Sequence, residues 1–111
     1  MEWSLCASLR VSVAMRLESM GYGLHGHDVE VTACYCYREG EAREDLEAIG
    51  EALDEALKPL RRAALWEVTG GEGTLEDLLL YVARSLSARG LRGRLCYLQA
   101  RVPDREVRLS L

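Results

Sequence analysis

The sequence contains no asparagine, one glutamine and one lysine. It has two histidines, His25 and His27. No apolar run approaches the roughly 20 residues that a membrane-crossing helix needs. A spanning helix is therefore excluded. The opening residues Met1-Glu2-Trp3-Ser4 lack the basic start and apolar stretch of a secretory signal, so a cytoplasmic location is expected. Thermolabile amides are scarce, and 13 arginines stand against the single lysine. This is a thermophile's composition, although GC-rich coding favours arginine as well. No Gly-x-Ser-x-Gly nucleophile motif occurs. Gly70-Gly71-Glu72-Gly73 lacks the Gly-Lys-Ser/Thr of a phosphate loop and reads as a flexible connection. With 49% hydrophobic and 29% charged residues, the chain is not disordered. Its 111 residues fit one domain, 1–111.

The net charge of −4 is unevenly spread. Residues 1–37 carry four acids and two arginines, a balance of −2. Residues 38–77 carry twelve acids against five bases, and residues 78–111 carry seven arginines against two acids. The acidic middle reads as a solvated helix face. The basic end suits an anionic ligand, or pairs with the acidic middle of its own or a neighbouring subunit. It lacks interleaved aromatics, which argues against nucleic acid as a partner.

Apolar residues occupy odd positions from Trp3 to Leu17, and polar ones the even positions, with Ala14 the exception. Period two predicts a half-buried strand. Gly21, Gly23 and Gly26 are expected turn hinges. A second strand is expected from about His25 to Arg38, with Val29, Val31, Ala33, Tyr35 and Tyr37 on the face of both histidines. The period then lengthens. Leu46, Ile49, Leu53, Leu57 and Leu60 predict a helix from about Glu41 to Ala64, kinked or ended by Pro59. Thr74 and Asp77 suggest a capping box for a second helix, with Gly90 as its stop. Leu91, Leu95 and Tyr97 alternate with Arg92, Arg94 and Cys96 in a third strand. After Pro103-Asp104, Val107, Leu109 and Leu111 mark a fourth. The order ββααββ predicts an α+β domain, a four-stranded antiparallel sheet with two helices on one face.

His25 and His27 share one strand face and could reach one metal ion, as zinc sites often require. The segment Leu24-His25-Gly26-His27-Asp28-Val29-Glu30-Val31 resembles the hallmark of the 6-pyruvoyl-tetrahydropterin synthase family, which includes the 6-carboxy-tetrahydropterin synthase of queuosine biosynthesis. Val11-Ser12-Val13-Ala14-Met15-Arg16-Leu17 is similar to the family's first-strand motif, and Thr74-Leu75-Glu76-Asp77-Leu78 to its Thr-x-Glu-Asn-Leu. The resemblance implies the tunnel fold and edge-to-edge assembly into trimers or hexamers. It also implies zinc held by three histidines and a pterin or purine-type ligand between subunits.

Four functional positions depart from that pattern. The first-strand ligand is Met15, a soft thioether that suits zinc poorly. The catalytic cysteine, four residues before the first histidine, is Gly21. The Asp-His pair falls near Lys58-Pro59. The pterin-anchoring glutamate aligns with Gln99. The site residues expected are therefore His25 and His27 for metal and Gln99 for ligand. Catalytic residues are left unassigned; nothing specific points to Glu18, Asp28 or Tyr22. The resemblance implies a divergent member, a lyase relative with its standard activity lost. One alternative is an active synthase with replaced catalytic residues. Another is a non-catalytic partner subunit of a complete paralogue.

Of the cysteines, Cys34 and Cys36 fall by parity on the face opposite the histidines. If Met15 lies across from His25 or His27, positions in the hairpin sum to about 40–42, and Cys6 faces Cys34 or Cys36. A cross-strand disulfide, a thiol cluster or small buried side chains all fit. The polar sheet face would gather Arg10, Arg38, Arg92 and Arg94.

Overall fold

The computed structural model describes residues 1–16 and 24–111. The turn expected at Gly21 and Gly23 lies outside them. Strand β1 runs Glu2–Arg16 and β2 Leu24–Arg38. Gly26 is not a hinge but sits within β2, opposite Ala14. Helices α1, α2 and α3 span Leu46–Leu57, Leu65–Thr69 and Leu75–Ser87. Strands β3 (Arg94–Val102) and β4 (Arg105–Ser110) follow. All pairings are antiparallel, in the order β1-β2-β3-β4. The expected α+β sheet is present, with three helices rather than two.

The alternation seen in the sequence separates two faces. Val11, Val13, Met15, Val29, Val31 and Ala33 are buried with Leu53, Leu57, Leu78, Val82 and Leu86 in the helix-covered core. The register from Glu2↔Arg38 to Met15↔His25 is unbroken, so every pair sums to 40, within the expected range.

Helix α1 is shorter than the apolar spacing suggested. Asp45 caps it by accepting the Glu47 N–H at 3.0 Å. The acidic residues before it are engaged elsewhere. Glu41 accepts the Arg38 N–H at 2.9 Å, and Glu44 accepts the Arg92 N–H at 3.0 Å. Pro59 lies in a single 3₁₀ turn, Lys58–Leu60, which ends the helix as expected. The Thr74–Asp77 capping box at α3 is complete: each side chain accepts the other's backbone N–H. Those bonds, that of the Thr74 N–H first, hold the Asp77 carboxyl below its ordinary pKa of 3.8.

Strand β3 departs from simple alternation. Cys34 pairs Tyr97 while Tyr35 pairs Leu95, leaving Cys96 as the extra residue of a β-bulge. The bulge moves Tyr97 to the open face, where the Arg108 guanidinium lies 4.4 Å from its ring centroid. Tyr97 was expected beside Leu95. Gly93, at φ 85°, lies against the Tyr37 ring so closely that a Cβ there would clash. The Tyr37 hydroxyl donates to the Arg92 carbonyl at 2.9 Å.

Candidate functional site

The histidine segment sits at the end of β2 beyond the reach of β3, whose pairing with β2 begins at Glu30. In register, His25 lies opposite Met15 and His27 opposite Val13. Met15 and Val13 are both buried. His27 is half-buried. It lines a cleft of about 380 Å³ with Ser12, Val13, Ala14, Asp28 and Arg62.

The residues after the 3₁₀ turn build one wall of this cleft. The Arg62 N–H donates to the Ser12 carbonyl at 2.7 Å, and the Ala14 N–H donates to the Ala63 carbonyl at 2.9 Å. These bonds clip residues 62–64 to the outer edge of β1, where Ala14 and Ala64 form a parallel bridge. Arg62 adopts φ 56°, the one positive φ of a non-glycine among the described residues. Left-handed backbone costs a residue with a Cβ about 1–2 kcal/mol. On the open side of the sheet, the Ser12 hydroxyl donates to Asp28 Oδ1.

A zinc ion calls for several His, Cys, Asp or Glu donors converging on one point. In register, the residues across the hairpin from the two histidine positions are Met15 and Val13. No group of three His, Cys, Asp or Glu placed to hold a metal occurs among the described residues. A catalytic zinc site needs three such ligands with one position open.

Gln99 is elsewhere. It lies opposite Thr32 and Arg108, on the open face. Its Nε2 donates to Glu106 Oε2 at 2.7 Å, and Arg108 NH2 donates to its Oε1 at 3.2 Å. Thr32 and Ser8 continue this polar row with a hydroxyl–hydroxyl bond of 2.7 Å. On β2, Thr32 and His27 are five residues apart, or ~17 Å of strand. His25 and His27 are two residues apart on β2, and Gln99 lies far from His27 and on the other face. The sequence reading missed Tyr97, Glu106 and Arg108 beside Gln99. Their grouping depends on the β3–β4 register and the bulge.

The expected gathering of arginines forms in part: Arg38 and Arg94 line one cleft with Glu2, and Arg10 is apart from them. Arg94 pairs Glu2 at 3.5 Å, and Arg38 lies opposite Glu2. Arg10 lies far along the strand in another row, opposite Glu30. Glu30 in turn faces Arg101, and Arg101 faces Glu106. Charges alternate across the four strands, which lets neighbours offset one another. Arg89 reaches Glu55 of the acidic middle at 3.8 Å.

All four cysteines are in disulfides, Cys6–Cys34 and Cys36–Cys96. The first joins residues directly opposite in the hairpin, one of the pairings the register allowed. The second follows from the bulge, which the sequence reading did not foresee. Both lie away from the histidine face, as parity required.

These features define a class first: an α+β protein of the tunnel fold, its antiparallel sheet covered by helices on one face. The structure of 6-pyruvoyl tetrahydropterin synthase from Caenorhabditis elegans is similar to it, with a TM-score of 0.82 at 15% identity, over 100% of this chain and 96% of that one. No family model matches the sequence, and no curated protein matches it. The likeness is therefore one of fold. No helix among the described residues is long and apolar enough to cross a membrane.

Proposed function

We propose that the chain is a divergent 6-pyruvoyl-tetrahydropterin synthase-like protein. In this reading it binds a pterin or purine-type ligand at a subunit interface. It no longer performs the triphosphate elimination from 7,8-dihydroneopterin triphosphate. The observation that carries the reading is the pairing of Met15 with His25 inside a sheet of this fold. In this reading the thioether of Met15 replaces the third imidazole of the family's metal triad.

An interface location is supported by the separation of His27 from Gln99. One ligand reaches both only if a second copy supplies one of them. The sheet has two edge strands, β1 and β4, and such edges need a partner or a cover. The clip at residues 62–64 covers one end of β1. Edge pairing with further copies, in a trimer or hexamer, protects the rest. Gln99 presents an amide to a ring edge, and Glu106 adds a carboxylate beside it that accepts ring N–H donors.

The test is the metal content and turnover of the purified protein, wild type against Met15→His. Substoichiometric zinc in the wild type, gain of zinc in the variant and no release of triphosphate from 7,8-dihydroneopterin triphosphate are expected. Stoichiometric zinc with turnover in the wild type overturns the loss of activity. Pterin absorbance that co-purifies with the protein supports the ligand class.

A further inference from the structure

We propose that the cleft at the outer edge of β1 binds a small molecule through an oxyanion group, phosphate or carboxylate, held by the Arg62 guanidinium. This inference does not depend on the pterin reading above. It rests on three observations that meet at one residue.

The first is the backbone. Arg62 occupies a left-handed conformation that glycine adopts without penalty. Elsewhere this chain uses glycine for such positions: Gly40, Gly70, Gly73, Gly90 and Gly93 all have positive φ. The bonds that fix residues 62–64 on β1 are made by main-chain atoms alone. Nothing in the clip requires a side chain at position 62, and an arginine is present despite the strain. Strained positions of this kind collect at ligand sites.

The second is charge. Arg61 and Arg62 are adjacent but differently engaged. Arg61 is paired with Asp54. Arg62 forms no ion pair among the described residues. Arg62 is exposed and lines the cleft, and a guanidinium is a planar fork suited to the two oxygens of a carboxylate or phosphate.

The third is the lining. His27, Ser12 and Asp28 share the cleft with Arg62. Asp28 opposes a bare anion but accepts a hydrogen bond from a neighbouring donor, and its Oδ1 already takes the Ser12 hydroxyl. The best-matched ligand therefore carries an oxyanion with an O–H or N–H donor close by. Dihydrogen phosphate and a 2-hydroxy acid both have this chemistry.

The experiment is calorimetric titration of the full chain with inorganic phosphate and, separately, with glycolate. Saturable binding of either is expected in the wild type; phosphate alone identifies a phosphate site and glycolate alone a carboxylate site. Arg62→Gln and Arg62→Gly should weaken that binding about tenfold or more, the loss of a charge-assisted bond. Arg62→Gly should also keep or raise the melting temperature, because glycine relieves the left-handed backbone, so a failure to fold cannot explain its lost binding. Arg61→Gln breaks the Asp54 pair and should leave binding unchanged. Absence of saturable binding of both probes in the wild type overturns the proposal. So does binding by Arg62→Gly equal to that of the wild type.

Discussion

The two faces of the sheet are built from the same strands and held by different means. On one face, alternate residues of β1, β2 and β3 are fully buried under the helices, as Val29, Val31 and Leu98 are. On the other, Ser8, Thr32, Gln99, Arg108 and the arginine–glutamate rows make polar contacts in water. Such contacts stabilise little, because water competes for every one of them. The open face instead carries both disulfides, which tie β1 to β2 and β2 to β3. Burial organises one side and covalent closure the other.

Reducing both disulfides should therefore have the largest effect. Their closed segments have sequence separations of 28 and 60 residues. Chain entropy predicts about 3–4 kcal/mol for each, somewhat more for the longer one. Thermal unfolding with and without reductant measures the pair, and Cys6→Ser and Cys36→Ser measure them singly. Loss of less than ~1 kcal/mol from both together would erase the contrast between the faces. Next in size is Leu53→Ala, a fully buried helix residue. It should cost about 2–5 kcal/mol in denaturant unfolding, whereas Ser8→Ala on the open face should stay within ~0.5 kcal/mol. Equal losses would show that the polar rows matter as much as the core.

Asp77→Ala tests the helix layer at its rim. Losing the reciprocal cap should cost about 1 kcal/mol. The Asp77 carboxyl titrates lower in the folded chain than in the unfolded one. Its contribution is thus present above the ordinary value of 3.8 and disappears as pH falls through the lower folded value. The stability difference between wild type and variant should shrink below pH ~4. The smallest effect is expected at Tyr35, whose buried hydroxyl has no hydrogen-bond partner among the described residues. Desolvation, then the neighbouring Tyr37, raise its pKa to about 12. Tyr35→Phe should be neutral or stabilising by up to ~1 kcal/mol, since it removes an unsatisfied polar atom. In the wild type, the stability owed to the neutral phenol is complete below pH 10 and lost as pH rises through about 12. The variant should lack that alkaline loss.

Much of the sheet was legible because period two is a local signal. The alternation from Trp3 to Met15 and from Val29 to Tyr37 assigned faces correctly, and the constant register followed from one pairing. Tyr97 was misplaced because a bulge inserts one residue without any mark in composition. Helix α1 was drawn too long because apolar spacing marks no ends: before it, Glu41 accepts the nearby Arg38 N–H and Glu44 the distant Arg92 N–H, and after it Pro59 lies in a 3₁₀ turn. Helix α2 is only five residues long, too short to show a period. For the site, parity placed His27 on the face away from the cysteines. It also put Gln99 in the polar set, but its neighbours Glu106 and Arg108 come from the β3–β4 register. Arg62 had no local signal, since its conformation is set by main-chain bonds to β1.

The bulge at Cys96 also bears on the order of events during synthesis. A chain emerging from its N-terminus presents Cys6, Cys34 and Cys36 long before Cys96 exists. Cys6 then has two candidate partners in an oxidising setting. The hairpin register sets Cys34 directly opposite, with the Cα atoms 4.1 Å apart, while Cys36 faces Ser4. The correct early bond leaves Cys36 waiting for a residue sixty positions downstream. A wrong early bond would leave Cys34 to compete for Cys96. The timetable of translation keeps Cys96 out of the first choice, and the geometry of the hairpin decides between the other two.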